Sequence, residues 1–251
     1  MHERDAGWPH RNGLRRHGWI VVHNFYDGGP LIMPVWIEYF AVAICAITAV
    51  LAAEGKHIDL FGVLVLALVT AVGGGTIRDL CLDVRPVFWI EQPQVVWTAL
   101  AAAAMTFVMV RFTHLPSRLL DVADAFGLAL FGIAGTEKAL THGTPGIVAV
   151  LLGIVTGVAG SILRDVLRRE IPWVFQAHVD LYATAVFAGA IVFVLLREHL
   201  AASEAHRYIG MVVILVIRLA AMKWKLRLPT FQTRLNTAAR IKNLSHHPPC
   251  D

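Results

Sequence analysis

Displaced by 86 residues, the sequence matches itself without a gap. Phe40 falls on Phe126, Leu66 on Leu152, Thr70 on Thr156, Val72 on Val158 and Gly74 on Gly160. Arg78-Asp79 falls on Arg164-Asp165, Pro86 on Pro172, Thr98 on Thr184 and Phe107-Val108 on Phe193-Val194. Conservative pairs such as Glu38 with Asp124 fill the register. A doubled sequence must fold into two similar units, and the apolar pattern says what each unit contains. Seven apolar runs cover about 35–53, 60–80, 94–111, 121–140, 145–167, 178–197 and 207–223. A bilayer core takes about 20 helical residues. Strands of a membrane barrel would instead alternate in stretches of about ten. Each copy therefore holds three membrane-spanning helices. An odd number of spans makes the second copy enter the bilayer from the opposite side, an arrangement used by many transport proteins.

The expected fold is an all-α integral membrane protein of seven transmembrane helices, as two inverted three-helix repeats plus a seventh helix. The chain divides into a polar N-terminal tail (1–34), a first repeat (35–111), a second repeat (121–197), a seventh helix (207–223) and a basic C-terminal tail (224–251). Composition agrees: 57% of residues are hydrophobic and 16% charged, against about 25% charged in soluble domains. Of the 40 charged residues, 14 lie in residues 1–34 and 223–251. The stretch between could not cover its own surface in water, nor could it stay disordered. The pI near 9.2 is read as membrane-surface charge, with no nucleic acid as partner. The Arg-rich N-terminus lacks an apolar core followed by a cleavage site, so no removable signal peptide is expected.

Lys and Arg near the span ends set the expected orientation. Lys56, Arg111, Arg118, Arg164, Arg168, Arg169, Arg218, Lys223, Lys225 and Arg227 share the side of the C-terminus. Arg78, Arg85, Lys138, Arg197 and Arg207 lie on the other, with Arg15 and Arg16 at the edge of range. The bias puts the C-terminus in the cytoplasm. Cys45, Cys81 and Cys250 form no disulfide framework, and neither they nor the scattered histidines, such as His246-His247, have zinc-ligand spacing. There is no phosphate loop, nucleophile elbow or His-Glu zinc motif. Neither an enzyme, a metal nor a cofactor is expected.

The chemistry of interest sits in two matching segments, Thr70 to Asp79 and Thr156 to Asp165. Gly73, Gly74 and Gly75 interrupt the first, and Ala159, Gly160 and Ser161 stand at the equivalent places. Glycine costs about 1 kcal/mol relative to alanine inside a helix. One reading is close packing, through small residues at every fourth position: Ala67, Ala71 and Gly75, then Gly153, Gly157 and Ser161. The favoured reading is a bent helix lining a conduction path, since three successive glycines exceed what a packing stripe needs. Arg78, Asp79, Arg164 and Asp165 are charges at membrane depth, which point to function. Neighbours on a helix do not face each other. The expected partners are therefore crossed between repeats, Arg78 with Asp165 and Arg164 with Asp79, or else carbonyls freed at the bends. Glu38 and Asp124 are expected at the membrane interface, Glu137-Lys138 at a solvated helix end, and Arg218 snorkelling to headgroups. Trp36, Trp89, Trp97, Trp173 and Trp224 fit interfacial belts.

Doubled at this spacing, these segments resemble the prokaryotic trimeric intracellular cation (TRIC) channels. Gly73-Gly74-Gly75-Thr76-Ile77-Arg78-Asp79 and Arg85-Pro86-Val87-Phe88-Trp89 carry the resemblance, with Arg164-Asp165-Val166-Leu167, Ile171-Pro172 and Leu181-Tyr182-Ala183-Thr184. It covers about residues 35–222; Ala159-Gly160-Ser161 departs from a fuller glycine run. The resemblance implies a homotrimer in the cell membrane, with a hydrophilic pore in each subunit between helices two and five. It implies passage of monovalent cations, chiefly potassium, with membrane lipid as partner and bound lipid among the ligands. The same domain has been described as a possible glycine transporter. The alternative is thus a carrier of a small zwitterion whose carboxylate meets Arg78. A scaffold built on the packing stripe alone is a third class. No carbonyl-ring potassium filter is present, which favours an aqueous pore of modest selectivity.

Overall fold

A computed structural model describes residues 34–113, 116, 118–176, 181–200 and 204–225. Apart from Pro34, Trp224 and Lys225, the two tails expected from the sequence lie outside these residues, and Cys250 and His246-His247 with them. Seven helices are long and apolar enough to cross a membrane. They are α1 (Val35–Ala53), α2 (Leu60–Cys81), α3 (Pro93–Phe112), α4 (Arg118–Thr141), α5 (Gly146–Leu167), α6 (Tyr182–His199) and α7 (Ala205–Trp224). No strand occurs among the described residues. The chain is a multi-pass membrane protein.

Local chemistry sets the helix ends. The Asp59 carboxylate accepts from the Gly62 N–H at 2.7 Å and caps α2, which satisfies one of its orphan donors. Pro93 opens α3, where a missing N–H costs nothing. The C-termini of α2 and α5 close in the same way. Leu82 N–H donates to Arg78 O and Val84 N–H to Asp79 O. At the equivalent positions Arg168 N–H donates to Arg164 O and Glu170 N–H to Asp165 O. Asp83 (φ 53°) and Arg169 (φ 58°) take the left-handed conformation between them. These closures satisfy carbonyls that a helix end leaves open. The duplication therefore extends to individual hydrogen bonds.

Packing repeats as well. α1 packs on α2 and α3, and α4 packs on α5 and α6. Contacts α1–α4 and α2–α5 join the units, while α7 lies on α4 and α6. One apolar core centres on residues such as Val42, Leu66 and Ala99, the other on Leu128, Val186 and Ile214. At the α2–α5 crossing the backbones themselves touch. A Cβ on Gly74 would be driven onto the carbonyl oxygen of Thr156, and one on Gly160 onto that of Thr70. Residues 70 and 74 thus meet 160 and 156, rising numbers against falling ones. The two helices are antiparallel, as inversion requires.

The three glycines meet separate neighbours around this crossing. α2 remains helical from Leu60 to Cys81, glycines included. Each glycine answers a different neighbour. A Cβ on Gly73 would stand 2.5 Å from Leu163 Cδ1, and one on Gly75 2.5 Å from the Phe88 ring. Three close approaches account for three glycines. In α5 the small residues divide their work. Gly153 and Gly157 admit α4 through Thr136, Gly132 and Leu128, whereas Gly160 admits α2. Ala67 and Ala71 are buried in the core of the first repeat. Trp36, Trp97 and Trp224 are exposed, as an interfacial belt needs. Trp89 instead turns inward and donates from Nε1 to Thr76 Oγ1 at 3.0 Å.

Candidate conduction site

Beside the α2–α5 crossing lies a cavity lined by Thr48, Thr70, Thr156, Ser161, Tyr182 and Asp124, with Cys45, Gly74, Gly75 and Gly160 among its other walls. About 10 Å³ is open to the centre of a water-sized sphere, room for about one water. Each hydroxyl has a fixed partner. Thr48 donates to Cys45 O at 2.8 Å, Thr70 to Leu66 O at 2.7 Å, Thr156 to Leu152 O at 2.6 Å and Ser161 to Val158 O at 2.8 Å. The Tyr182 hydroxyl donates to Ser161 Oγ at 2.8 Å. Arg218 stacks on the Tyr182 ring, with Cζ 4.7 Å from the centroid.

The charges form two clusters at opposite ends of the crossing. Near the C-terminus of α2, Arg78 Nε and Nη2 both lie 2.8 Å from Asp79 Oδ1. Lys138 Nζ of α4 is also 2.8 Å from that oxygen. Phe88 N–H donates to Asp79 Oδ2 at 3.0 Å. Near the C-terminus of α5, Arg164 Nε donates to Asp165 Oδ1 at 2.9 Å and its Nη1 to Asp124 Oδ1 at 3.0 Å. Trp173 N–H donates to Asp165 Oδ2 at 3.2 Å. The Phe88 ring lies 5.6 Å from Arg78 Cζ, and the Trp173 ring 5.2 Å from Arg164 Cζ, within cation–π range.

The expected crossed pairs do not form: each arginine pairs with the aspartate that follows it. Adjacent Cβ atoms do point apart, but an arginine stem is long enough to fold back. A backbone N–H beyond the helix fixes the aspartate, and the helix C-terminus favours the cation. Burial corrects other expectations. Asp124 is 5% exposed and bound to Arg164, so it is not interfacial. Its counterpart Glu38 is partly buried in the field of Arg78 and Lys138. Neither Glu137 nor Lys138 marks a solvated end. Glu137 accepts from Arg207 Nε and Nη2 of α7 at 2.8 and 2.6 Å, and Lys138 serves Asp79. Arg218 is buried rather than snorkelling. Trp173 packs on Arg164 instead of standing in a belt. Asp124 and Tyr182 are the site residues that sequence reasoning missed as such. The signal for Asp124 was present, because it aligns with another acid across the repeat.

Outside the spans, a surface chain of charges leads to the second cluster. Lys56 Nζ lies 2.7 Å from Glu170 Oε1, and Arg168 Nη2 3.0 Å from Glu170 Oε2. Arg168 Nη1 in turn lies 3.6 Å from Asp165 Oδ1. The hydrogen bond from Lys56 holds the Glu170 carboxyl below the usual carboxylate range.

Comparison with known proteins agrees with this geometry. The model of the Glycine transporter family matches residues 35–111 and again 121–198. The chain belongs to that family. Among its relatives is the UPF0126 inner membrane protein YadS of Escherichia coli K12, 46% identical over 78% of this chain and 95% of that protein. Its fold is that of the TRIC channels. The TRIC trimeric intracellular cation channel orthologue from Rhodobacter sphaeroides superposes with a TM-score of 0.72 at 37% identity, covering 76% of this chain and 98% of that one. A second structure, described as the structural basis for conductance through TRIC cation channels, superposes with a TM-score of 0.73 at 30% identity, covering 81% and 99%. This member of the Glycine transporter family is thus a membrane protein with the fold of cation channels, and not an enzyme.

Proposed function

We propose that the protein is a cation channel that passes monovalent cations, chiefly potassium, through a pore in each subunit of a homotrimer. The pore follows the α2–α5 crossing, past Gly73, Gly74, Gly75, Ala159, Gly160 and Ser161. Arg78-Asp79 and Arg164-Asp165 stand at its two ends. The protein lies in the cell membrane with its C-terminus in the cytoplasm, and bound lipid covers its outer faces. The observation that carries this reading is the size of the cavity at the crossing. It has room for one water-sized particle, which suits an ion better than a whole amino acid. Arg78 also argues against the carrier, because its Nε and Nη2 are committed to Asp79.

Bilayer recording of the purified protein tests the proposal. Discrete unitary currents that reverse near the potassium equilibrium potential are expected. Saturable glycine exchange without unitary currents would establish the carrier instead. Cysteine labelling of the two tails, after removal of native thiols, checks orientation. Labelling of both tails from one side would contradict it.

A further inference from the structure

We propose that the cavity at the α2–α5 crossing is a binding site for one dehydrated monovalent cation, with Asp124 as its charged ligand. The proposal rests on the channel reading and specifies where the permeant ion sheds its water. The argument begins with protons. A hydroxyl has one proton to donate and two lone pairs to offer. Thr48, Thr70, Thr156 and Ser161 each spend that proton on a carbonyl of their own helix. Tyr182 spends its proton on Ser161. Every hydroxyl of the lining is therefore left with lone pairs alone.

The charge comes from Asp124. Its Oδ1 is taken by Arg164 at 3.0 Å. Its Oδ2 is buried and has no hydrogen-bond partner. The Tyr182 hydroxyl is also in hydrogen-bond contact with this carboxylate, but it has one proton to give, and that proton is directed at Ser161. A buried carboxylate oxygen without a donor is unfavourable, and a cation beside it removes that penalty. An anion or the carboxylate of a zwitterion would find no free hydroxyl proton in this lining. Oxygen ligands can replace the hydration shell of an alkali cation. Calcium and magnesium need more charged ligands or retained waters. Only one carboxylate oxygen is open here, since Arg164 already sits between Asp124 and Asp165. The first repeat does not reproduce the site. At the equivalent places Gly75 stands for Ser161 and Val96 for Tyr182, and the Phe88 ring packs against Gly75.

The test uses the purified full chain. Thermal unfolding is followed while potassium replaces N-methyl-D-glucamine at constant ionic strength, and unitary currents are recorded from the same preparations. In the wild type, potassium raises the unfolding temperature saturably and magnesium at matched ionic strength does not. Asp124→Asn abolishes the potassium dependence, and Thr156→Val shifts its midpoint at least several-fold upward. Thr156→Val leaves every charge in place, so it decides the matter if Asp124→Asn does not fold. Wild-type currents together with a potassium dependence unchanged in the folded variants would overturn the site while keeping the channel. Saturable stabilisation that both variants weaken, without any unitary current, would support the site and overturn the channel reading. A wild type that potassium does not stabilise overturns the site whatever the currents show.

Discussion

The two ends of the α2–α5 crossing began as the same sequence and now differ in what they hold. At the first, one aspartate is shared by two cations: Asp79 Oδ1 meets both Arg78 and Lys138. At the second, one cation is shared by two aspartates: Arg164 meets both Asp124 and Asp165. Beside the first cluster an aromatic ring packs on Gly75. Beside the second, Ser161 and Tyr182 bring hydroxyls into a cavity. The shared parts are the backbone contact at Gly74 and Gly160 and the closures after Asp79 and Asp165. Duplication fixed the frame, and a few side chains then gave the ends opposite characters.

The shared frame is the easiest thing to break. Gly74→Ala and Gly160→Ala each force a Cβ onto a backbone carbonyl. Overpacking commonly costs about 1–3 kcal/mol, and here no flexible side chain can yield. Each should lose about 3 kcal/mol or more, read as a lowered unfolding temperature or failed assembly. Gly75→Ala meets only the Phe88 ring and should cost about 1 kcal/mol. Equal losses at Gly74 and Gly75 would show that the backbone contact is not the tight point.

The clusters come next. Arg164→Met takes the ion-pair partner from buried Asp124 and leaves Asp165 with only the Arg168 cation, at 3.6 Å, and should cost about 3–5 kcal/mol. Arg78→Met should cost less, about 2 kcal/mol, because Lys138 still serves Asp79. Thermal unfolding of both variants gives the order, and the reverse order would remove the contrast between the clusters. A double-mutant cycle on Arg78 and Asp79 should show coupling of about 1–3 kcal/mol, while one on Arg78 and Asp165 should be additive to about 0.5 kcal/mol.

The surface chain gives the smallest effect. Glu170 has a lowered pKa in the folded protein. Its contribution is therefore present above the ordinary carboxylate pKa, about 4.3, and is lost as pH falls through the lower folded value. Exposed pairs are worth about 0–1 kcal/mol. Lys56→Gln should lower stability by roughly 0.3 kcal/mol at neutral pH, and the difference from wild type should shrink below about pH 4. A difference that grows with acidity would contradict the pairing.

The spans and their inversion were legible in the residues. Run length and an alignment of the chain with itself are both local or strictly periodic signals. The partners of the charges were not legible. Asp124 and Glu137 sit near helix ends, where a headgroup position and a buried one have the same pattern. What buries them lies 40 and 70 positions away, at Arg164 and Arg207. The pairing of Arg78 with Asp79 was hidden differently. Spacing rules describe where Cβ atoms point, and they do not follow a long side chain back around the helix. The neighbours of the three glycines were hidden for a related reason, since one-dimensional reading counts the glycines together while each meets a separate neighbour.

The contact between Gly74 and Gly160 has a consequence for ancestry. Each glycine receives the carbonyl offered by the other's helix, so the surface is complementary to itself. Self-complementary surfaces join identical partners about a twofold axis. A single three-helix protein, inserted into the membrane both ways up, would carry everything this contact requires. Fusion of two such genes would then have released each half from serving both orientations. The seventh helix, tied to the second half by Arg207 and Glu137, has no counterpart in the first and so breaks the twofold relation between the halves.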